Sequence, residues 1–343
     1  MLTLTNISQQ FGDKLLYEDV SVQINRGEKV GLIGRNGAGK STLIKIITGE
    51  ILPDDGFVQF PKNLKMGYLD QYVNVDETQS IRDFLRSAFA EDFEKEQQIA
   101  DLYTAYGESL DDKLLEKAGE LQNQLDQGNF YQMDTLIDDL AEGLGISVLG
   151  MDTPLASLSG GQRSKLILAK MLLEKPDMLI LDEPTNHLDD EHIKWLVEFL
   201  QDFTGTYLVV SHDRQFLNEI TTHIIDIEFG KLSKYTGNLD KALKLKTLQN
   251  ESYMKQYEAQ QEHIKKTESY IRKYKAGSRS TMAKSREKQL AKIERLTPPH
   301  DVPKPHLGFD LAPIVTTLAL ETTNLVIGLS LIHISEPTRP RLI

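Results

Sequence analysis

Apolar and polar residues interleave over Leu2–Ser8 and again over Val20–Ile24, and both stretches are predicted to be strands. Lys29–Ile33 is a short apolar run that stops at the glycine-rich loop Gly34-Arg35-Asn36-Gly37-Ala38-Gly39, with a helix predicted over Lys40–Thr48. Two further apolar runs, Leu179–Leu181 and Tyr207–Val210, read as buried strands; the first ends in Asp182 and Glu183, the second just before His212. Ser159, Gly160 and Gly161 open an apolar helix flanked by Lys and Arg, from Gln162 to Glu174. Residues 80–145 are rich in Glu, Asp, Leu and Gln with few glycines, which predicts helices. Leu239–Leu296 is polar along its length and reads as two long helices, after which Pro298, Pro299, Pro303 and Pro305 form a stiff, non-helical connector. No apolar run reaches the ~18 residues of a membrane span.

The length of 343 residues is enough for two or more domains around a sizeable core, and a mixed α/β architecture suits the pattern. With no cysteine, disulfides and thiolate metal sites are excluded, in keeping with a reducing cytoplasm. The formal charge of -12 conceals an asymmetry. Residues 241–296 hold 15 Lys/Arg against 6 Glu, a net of +9, so the rest carries 24 basic and 45 acidic residues, a net of -21. An acidic body with one basic segment points to a localised polyanion contact, because neutralising phosphates requires cations gathered on one surface.

The strand, glycine loop and helix around residues 29–48 make a phosphate loop: backbone N–H groups and the positive helix end meet phosphates, Lys40 reaches the β and γ phosphates, and Ser41 ligates Mg²⁺. Asp182 would hold the Mg²⁺ shell and Glu183 would polarise an attacking water, since phosphoryl transfer asks mainly for positioning and charge. Two acids at a strand end are otherwise a solvated turn, and a lone His after a strand is usually structural. The two glycines after Ser159 make a second anion-binding helix start. In the basic segment Arg272, Lys273, Lys275, Arg279, Lys284 and Arg286 surround a helix break at Gly277, with Tyr270 and Tyr274 interleaved. Cations with aromatics bind backbone phosphates and stack on RNA bases; the plainer reading is a solvated charged hairpin.

Four motifs in order, Gly34–Ser41, Leu158-Ser159-Gly160-Gly161-Gln162, Leu179–Asp189 and Val210–Arg214, resemble the ATP-binding cassette ATPases. The wording of Glu183–Asp189 and Ser211–Arg214 is similar to the ABC-F branch, soluble ATPases that act on the ribosome, and the resemblance covers about residues 1–328. It implies an α/β fold: an ABC-type P-loop cassette of mixed sheet with a helical subdomain, followed by a two-helix linker hairpin. It also implies ATP and Mg²⁺ as ligands and a cytoplasmic location without membrane or structural metal. Gly34, Asn36, Gly37, Ala38, Gly39, Lys40, Ser41 and Thr42 would hold ATP. Gln71 matches the Q-loop that touches Mg²⁺ and water, His212 the γ-phosphate sensor, and Phe11 the aromatic that stacks on adenine, or else plain core. Ser159, Gly160, Gly161 and Gln162 would close on the ATP of another cassette.

The organisation implied is a cassette at 1–238 with a helical subdomain and arm within about 80–158, and a linker at 239–296 that contacts P-site tRNA and rRNA of the large subunit. A connector at 297–317 follows, then the start of a second cassette at 318–328, where Leu320–Leu325 aligns on Leu2–Ile7. Residues 329–343 resemble a translated sequencing adapter and are set aside as an artefact. Two competing expectations are the nucleotide-binding subunit of a transporter and another soluble, nucleic-acid-acting ABC ATPase.

Overall fold

The computed structural model describes residues 2–12, 14–68, 77–274 and 280–296. Gln71, Lys275, Arg279 and the whole stretch 297–343, with its connector, 318–328 repeat and 329–343 tail, lie outside the described residues. The chain divides into Met1–Pro299 and His300–Ile343, and every described residue belongs to the first unit.

The hairpin β1 (Leu2–Phe11) and β2 (Lys14–Ile24) leads into β3 (Lys29–Gly34), α1 (Lys40–Thr48), β4 (Asp55–Gln59) and β5 (Met66–Tyr68). A helical layer follows: α2 (Ile81–Arg86), α3 (Ala90–Ser109), α4 (Asp112–Gly128), α5 (Met133–Gly143) and α6 (Gly160–Leu173). The chain then alternates through β6 (Met178–Asp182), α7 (Asp190–Asp202), β7 (Thr206–Val210), α8 (Arg214–Ile220), β8 (His223–Glu228) and β9 (Lys231–Thr236). It leaves along α9 (Leu239–Tyr274) and returns on α10 (Ser280–Ala291). Six strands form one sheet in the order β5-β6-β7-β3-β8-β9, parallel except for β9, and three form an antiparallel sheet in the order β2-β1-β4.

The central strands are buried on both faces, so their apolar runs are continuous and successive residues serve opposite cores. Leu179, Leu181, Tyr207 and Val209 join the core under α6, α7 and α8. Ile180, Leu208, Val30 and Leu32 join the other core, with Leu43 and Ile47 of α1 and Leu4 and Ile7 of β1. Cutting Leu32 or Leu208 back to Ala would cost ~2–5 kcal/mol of stability. The effect would be felt directly beneath α1 and the glycine loop.

β1 and β2 run further than the alternation suggests, to Phe11 and from Lys14. Their register shifts between Leu4 and Ile7, Ile7 and Gln9, and Gln9 and Gln10, while Asn6 and Asp19 take positive φ of 51° and 50°. Such bulges break the two-residue period, so the alternation fades before the strands do.

Helices α3 and α4 bury little beyond Ile99, Ala118 and Leu125. At their base Phe130 meets Phe93 edge-on, ring centroids 5.0 Å apart. Gly143 at the end of α5 is required because the Trp195 ring of α7 lies where a Cβ would stand. This contact pins the helical layer to the sheet layer.

The 36-residue α9 is ~54 Å long at 1.5 Å per residue. Leu239 and Ala242 are buried at its base, Asn218 Nδ2 donates to Asp240 Oδ2 at 2.6 Å, and Lys246 Nζ reaches Asp226 at 2.6 Å and Glu228 at 2.8 Å. The second helix is short, 12 residues, rather than long. After Ala291 the chain tightens into turns, and Gln260 of α9 binds both Glu294 O (2.9 Å) and Leu296 N (2.8 Å), taking up backbone groups that a continuing helix would have paired internally.

Candidate active site

A cleft of about 440 Å³ opens where β3, β6 and β7 end, the edge at which α/β sheets bind ligands. Its floor is the glycine loop at Asn36, Gly37 and Gly39. Gly34 needs its missing side chain because a Cβ would stand 2.8 Å from Ile227 O. Gly39 takes φ 105°, left-handed, with the Tyr17 hydroxyl against its Cα and donating to its carbonyl oxygen. Burial pushes the Tyr17 phenol well above its usual range, so it stays a donor. With glycine at the N-cap, α1 has no side chain on its first N–H groups, whereas α6, α7 and α8 are capped by Ser159, Asp189 and Asp213. Those free donors and the helix dipole make α1 the anion-binding helix of the site.

Around this floor the structure gathers Asn36, Gly37, Gly39, Lys40, Ser41 and Thr42 with Asp182, Glu183 and His212, and with Phe11 at the rim. Lys40 Nζ is held over the loop by Gly34 O (2.9 Å) and Arg35 O (3.4 Å). Ala38 faces the core instead, and Gly34 lines a smaller cavity of about 210 Å³ on the far side of Lys40, with Ser211, Arg214 and Leu239. Phe11 is 51 % exposed, so it is no core residue. Lys14 and Leu16 of β2 also line the cleft and were missed from the sequence. The one available signal was a lysine beginning a strand three residues after Phe11.

Ser41 Oγ lies 3.4 Å from Asp182 Oδ2, two hard oxygens side by side. Among the described residues no group of three or more His, Asp or Glu could hold a metal ion, so a cation here needs phosphate and water oxygens to complete its shell. Glu183 is held at a left-handed φ of 51°, its N–H bonded to Val210 O at 2.9 Å, which locks the end of β6 to the end of β7. Its Oε2 accepts from the His212 N–H at 3.2 Å, and Oε1, 3.6 Å from His212 Nε2, is buried without a hydrogen-bond partner. Burial raises the carboxyl groups of both Asp182 and Glu183 above the ordinary range; Ser41 opposes this at Asp182, and the His212 N–H at Glu183. A buried oxygen without a donor, beside a second carboxylate, is suited to take a proton or hydrogen bond from water.

Ser159, Gly160, Gly161 and Gln162 are not in this cleft. They begin α6 with a capping box: Ser159 Oγ accepts from Gln162 N at 3.3 Å, and Gln162 Oε1 accepts from Ser159 N at 2.8 Å. Ser159 and Gly160 are exposed, and Gly161 packs on the His187 ring. On the α9–α10 hairpin Arg272, Lys273, Lys284 and Arg286 are exposed. The Arg286 guanidinium stacks 4.0 Å over the Tyr270 ring, and a groove of about 710 Å³ runs between the helices past His263, Lys266 and Lys273.

Comparison with known proteins agrees with this geometry. Residues 17–186 match the ABC transporter family, and residues 225–309 match a second family of the same description. The uncharacterized ABC transporter ATP-binding protein YfmM of Bacillus subtilis is 39 % identical over 332 residues, covering 96 % of this chain and 64 % of that protein. ABC transporter F family member 5 of Arabidopsis thaliana is 36 % identical over 297 residues, 85 % of this chain and 43 % of that protein. An ATP-binding subunit of an ABC transporter superposes with a TM-score of 0.51 at 22 % identity, over 70 % of this chain and 91 % of that one, a likeness of fold. The chain therefore carries an ATP-binding cassette domain of the ABC transporter family, a family that hydrolyses ATP. Its relatives include F-family members, and it spans less than two thirds of the length of these two relatives. Among the described residues no helix is long and apolar enough to cross a membrane.

Proposed function

We propose that this chain is the ATP-hydrolysing cassette and linker of a cytoplasmic ABC-F-type protein that acts on the ribosome, with the linker against P-site tRNA and rRNA. The observation that carries the reading is the basic α9–α10 hairpin, built onto a cassette whose cleft gathers Lys40, Ser41, Asp182, Glu183 and His212. The F-family relative matches over a stretch long enough to include the hairpin, which favours this reading over a transporter subunit.

The residues fit a magnesium nucleotide: uncapped α1, the Ser41 and Asp182 oxygens, and the unpartnered Oε1 of Glu183. Lys40 and the α1 N–H groups bind the β and γ phosphates, and the Phe11 ring stacks on adenine. Bound Mg²⁺ supplies charge to the phosphate oxygens. Glu183, its proton affinity raised by burial, polarises the attacking water, and His212 holds the γ-phosphate side of the cleft. Gln71 is assigned to the same water by resemblance. Ser159–Gln162 serve the nucleotide of a second cassette.

The test is co-sedimentation with ribosomes in ATP, with Glu183→Gln in the background to hold the bound state. Changing Arg272, Lys273, Lys284 and Arg286 to Gln should weaken binding and flatten its salt dependence, by ~0.7–0.9 in log–log slope for each phosphate no longer neutralised. ATP affinity should not change. Unaltered binding strength and slope would reduce the hairpin to a solvated spacer and overturn the ribosomal reading.

A further inference from the structure

The turn between β1 and β2 carries a cation that the catalytic reading leaves unused. Lys14 is the cross-strand partner of Phe11, and its Nζ donates to Gly37 O at 2.8 Å. Lys14, Phe11 and Gly37 line one cleft. Lys14 therefore reaches from the strand position beside the exposed aromatic residue to the phosphate loop, while Lys40 is held on Gly34 O and Arg35 O. In a nucleotide whose base lies on Phe11 and whose β and γ phosphates lie on the loop, the anionic group between those two anchors is the α-phosphate.

We propose that Lys14 is a nucleotide-binding residue that pairs with the α-phosphate, an assignment that rests on the ATP reading above. Gly37 has φ 75°, and a Cβ there would come 3.2 Å from Lys14 Nζ, so the ammonium packs directly over the bare backbone of the loop. The loop has other restraints: Ala38 N donates to Arg35 O at 3.0 Å, and Tyr17 ties down Gly39. A strap from Lys14 is thus not needed to shape it. Exchanging a neutral carbonyl for a phosphate oxygen turns an ion–dipole bond into a pair of opposite charges, which strengthens it. Lysine suits this use as a compact point charge on a flexible stem.

The experiment measures the affinity of the chain for ATP, ADP, AMP and adenosine by displacement of a fluorescent ATP analogue, in the parent, Lys14→Met and Lys14→Arg. If Lys14 meets the α-phosphate, Lys14→Met weakens ATP, ADP and AMP by one common factor of about tenfold and leaves adenosine alone, and Lys14→Arg restores most of the loss. A loss confined to ATP and ADP would mean that Lys14 only orders the loop, and equal affinities throughout would mean a solvated side chain; either overturns the proposal. Parent binding that survives Lys40→Met would overturn the ATP reading itself. Thermal melting of Lys14→Met should match the parent, because the side chain is exposed.

Discussion

Lys246→Met is the sharpest probe of how the hairpin is fastened to the cassette. Lys246 joins α9 to β8 through Asp226 at 2.6 Å and Glu228 at 2.8 Å, with side-chain exposures of 22 %, 6 % and 30 % respectively. Burial pulls the Lys246 ammonium down, but the two carboxylates outweigh it and raise its proton affinity, so the ion pair is formed at neutral pH. Methionine keeps the stem and removes the charge, leaving Asp226 buried without its cation. Breaking a fully buried pair costs ~3–5 kcal/mol; because Lys246 is one-fifth exposed and water can reach the gap, we expect the lower figure of ~2–3 kcal/mol. That is a large part of a typical total stability of ~5–15 kcal/mol. Urea unfolding followed at Trp195, the single tryptophan, reads the loss directly. Adding Asp226→Asn should recover more than half of it, since the orphaned charge is then gone. A loss under ~0.5 kcal/mol, or no recovery in the double variant, would refute the argument that this pair anchors α9.

Glu183→Gln should leave ATP affinity nearly unchanged and lower turnover by ~10²–10⁴-fold, the scale of a general base; a parallel loss of ATP binding would refute the role given to Glu183. For Glu28, burial alone would raise the carboxyl, but Lys234 at 2.5 Å and the Asn25 backbone and side-chain N–H groups outweigh it and hold it at about 2, below the ordinary 4.5. A lowered carboxylate adds stability that is fully present above pH 4.5 and is lost as the pH falls toward 2. The stability gap between the parent and Glu28→Gln should therefore narrow across that window in unfolding curves, and a gap constant from pH 6 to pH 3 would sink the assignment.

What could be read from the sequence is what local residues encode by themselves. The Gly34–Ser41 spacing dictates a loop and an uncapped helix wherever it folds, and Asp182-Glu183 after an apolar run places two carboxyls at a strand end. Lys14, Leu16 and Tyr17 were illegible because their positions depend on a hairpin whose period is broken at Asn6 and Asp19. The Lys246–Asp226 anchor was equally hidden, since it follows from β8 lying beside β3 at the far side of the sheet from β6. Beyond the end of α10, a single side chain, Gln260, reaches backbone 34 and 36 residues away. Tertiary partners of this kind leave no periodic signature.

The placement of α6 bears on how the proposed machine would work. Its first turn is already satisfied by the Ser159–Gln162 capping box, it contributes nothing to the cleft, and its exposed Gly160 has no atom near where a Cβ would stand. The glycine start of α6 stands open to solvent, away from this chain's own phosphate loop; on the proposed reading it closes on the nucleotide held by a second cassette, so that two cassettes face each other and each completes the other's site. Closure would then move one cassette as a body, and the Asp240 and Lys246 contacts would carry that motion into α9. A rotation of ~5° at the base of a ~54 Å helix displaces its far end by ~5 Å. That is comparable to one turn of helix, and on the proposed reading it is large enough to make or break contacts with an RNA surface, with the Lys246–Asp226 pair at the root of the hairpin transmitting the motion.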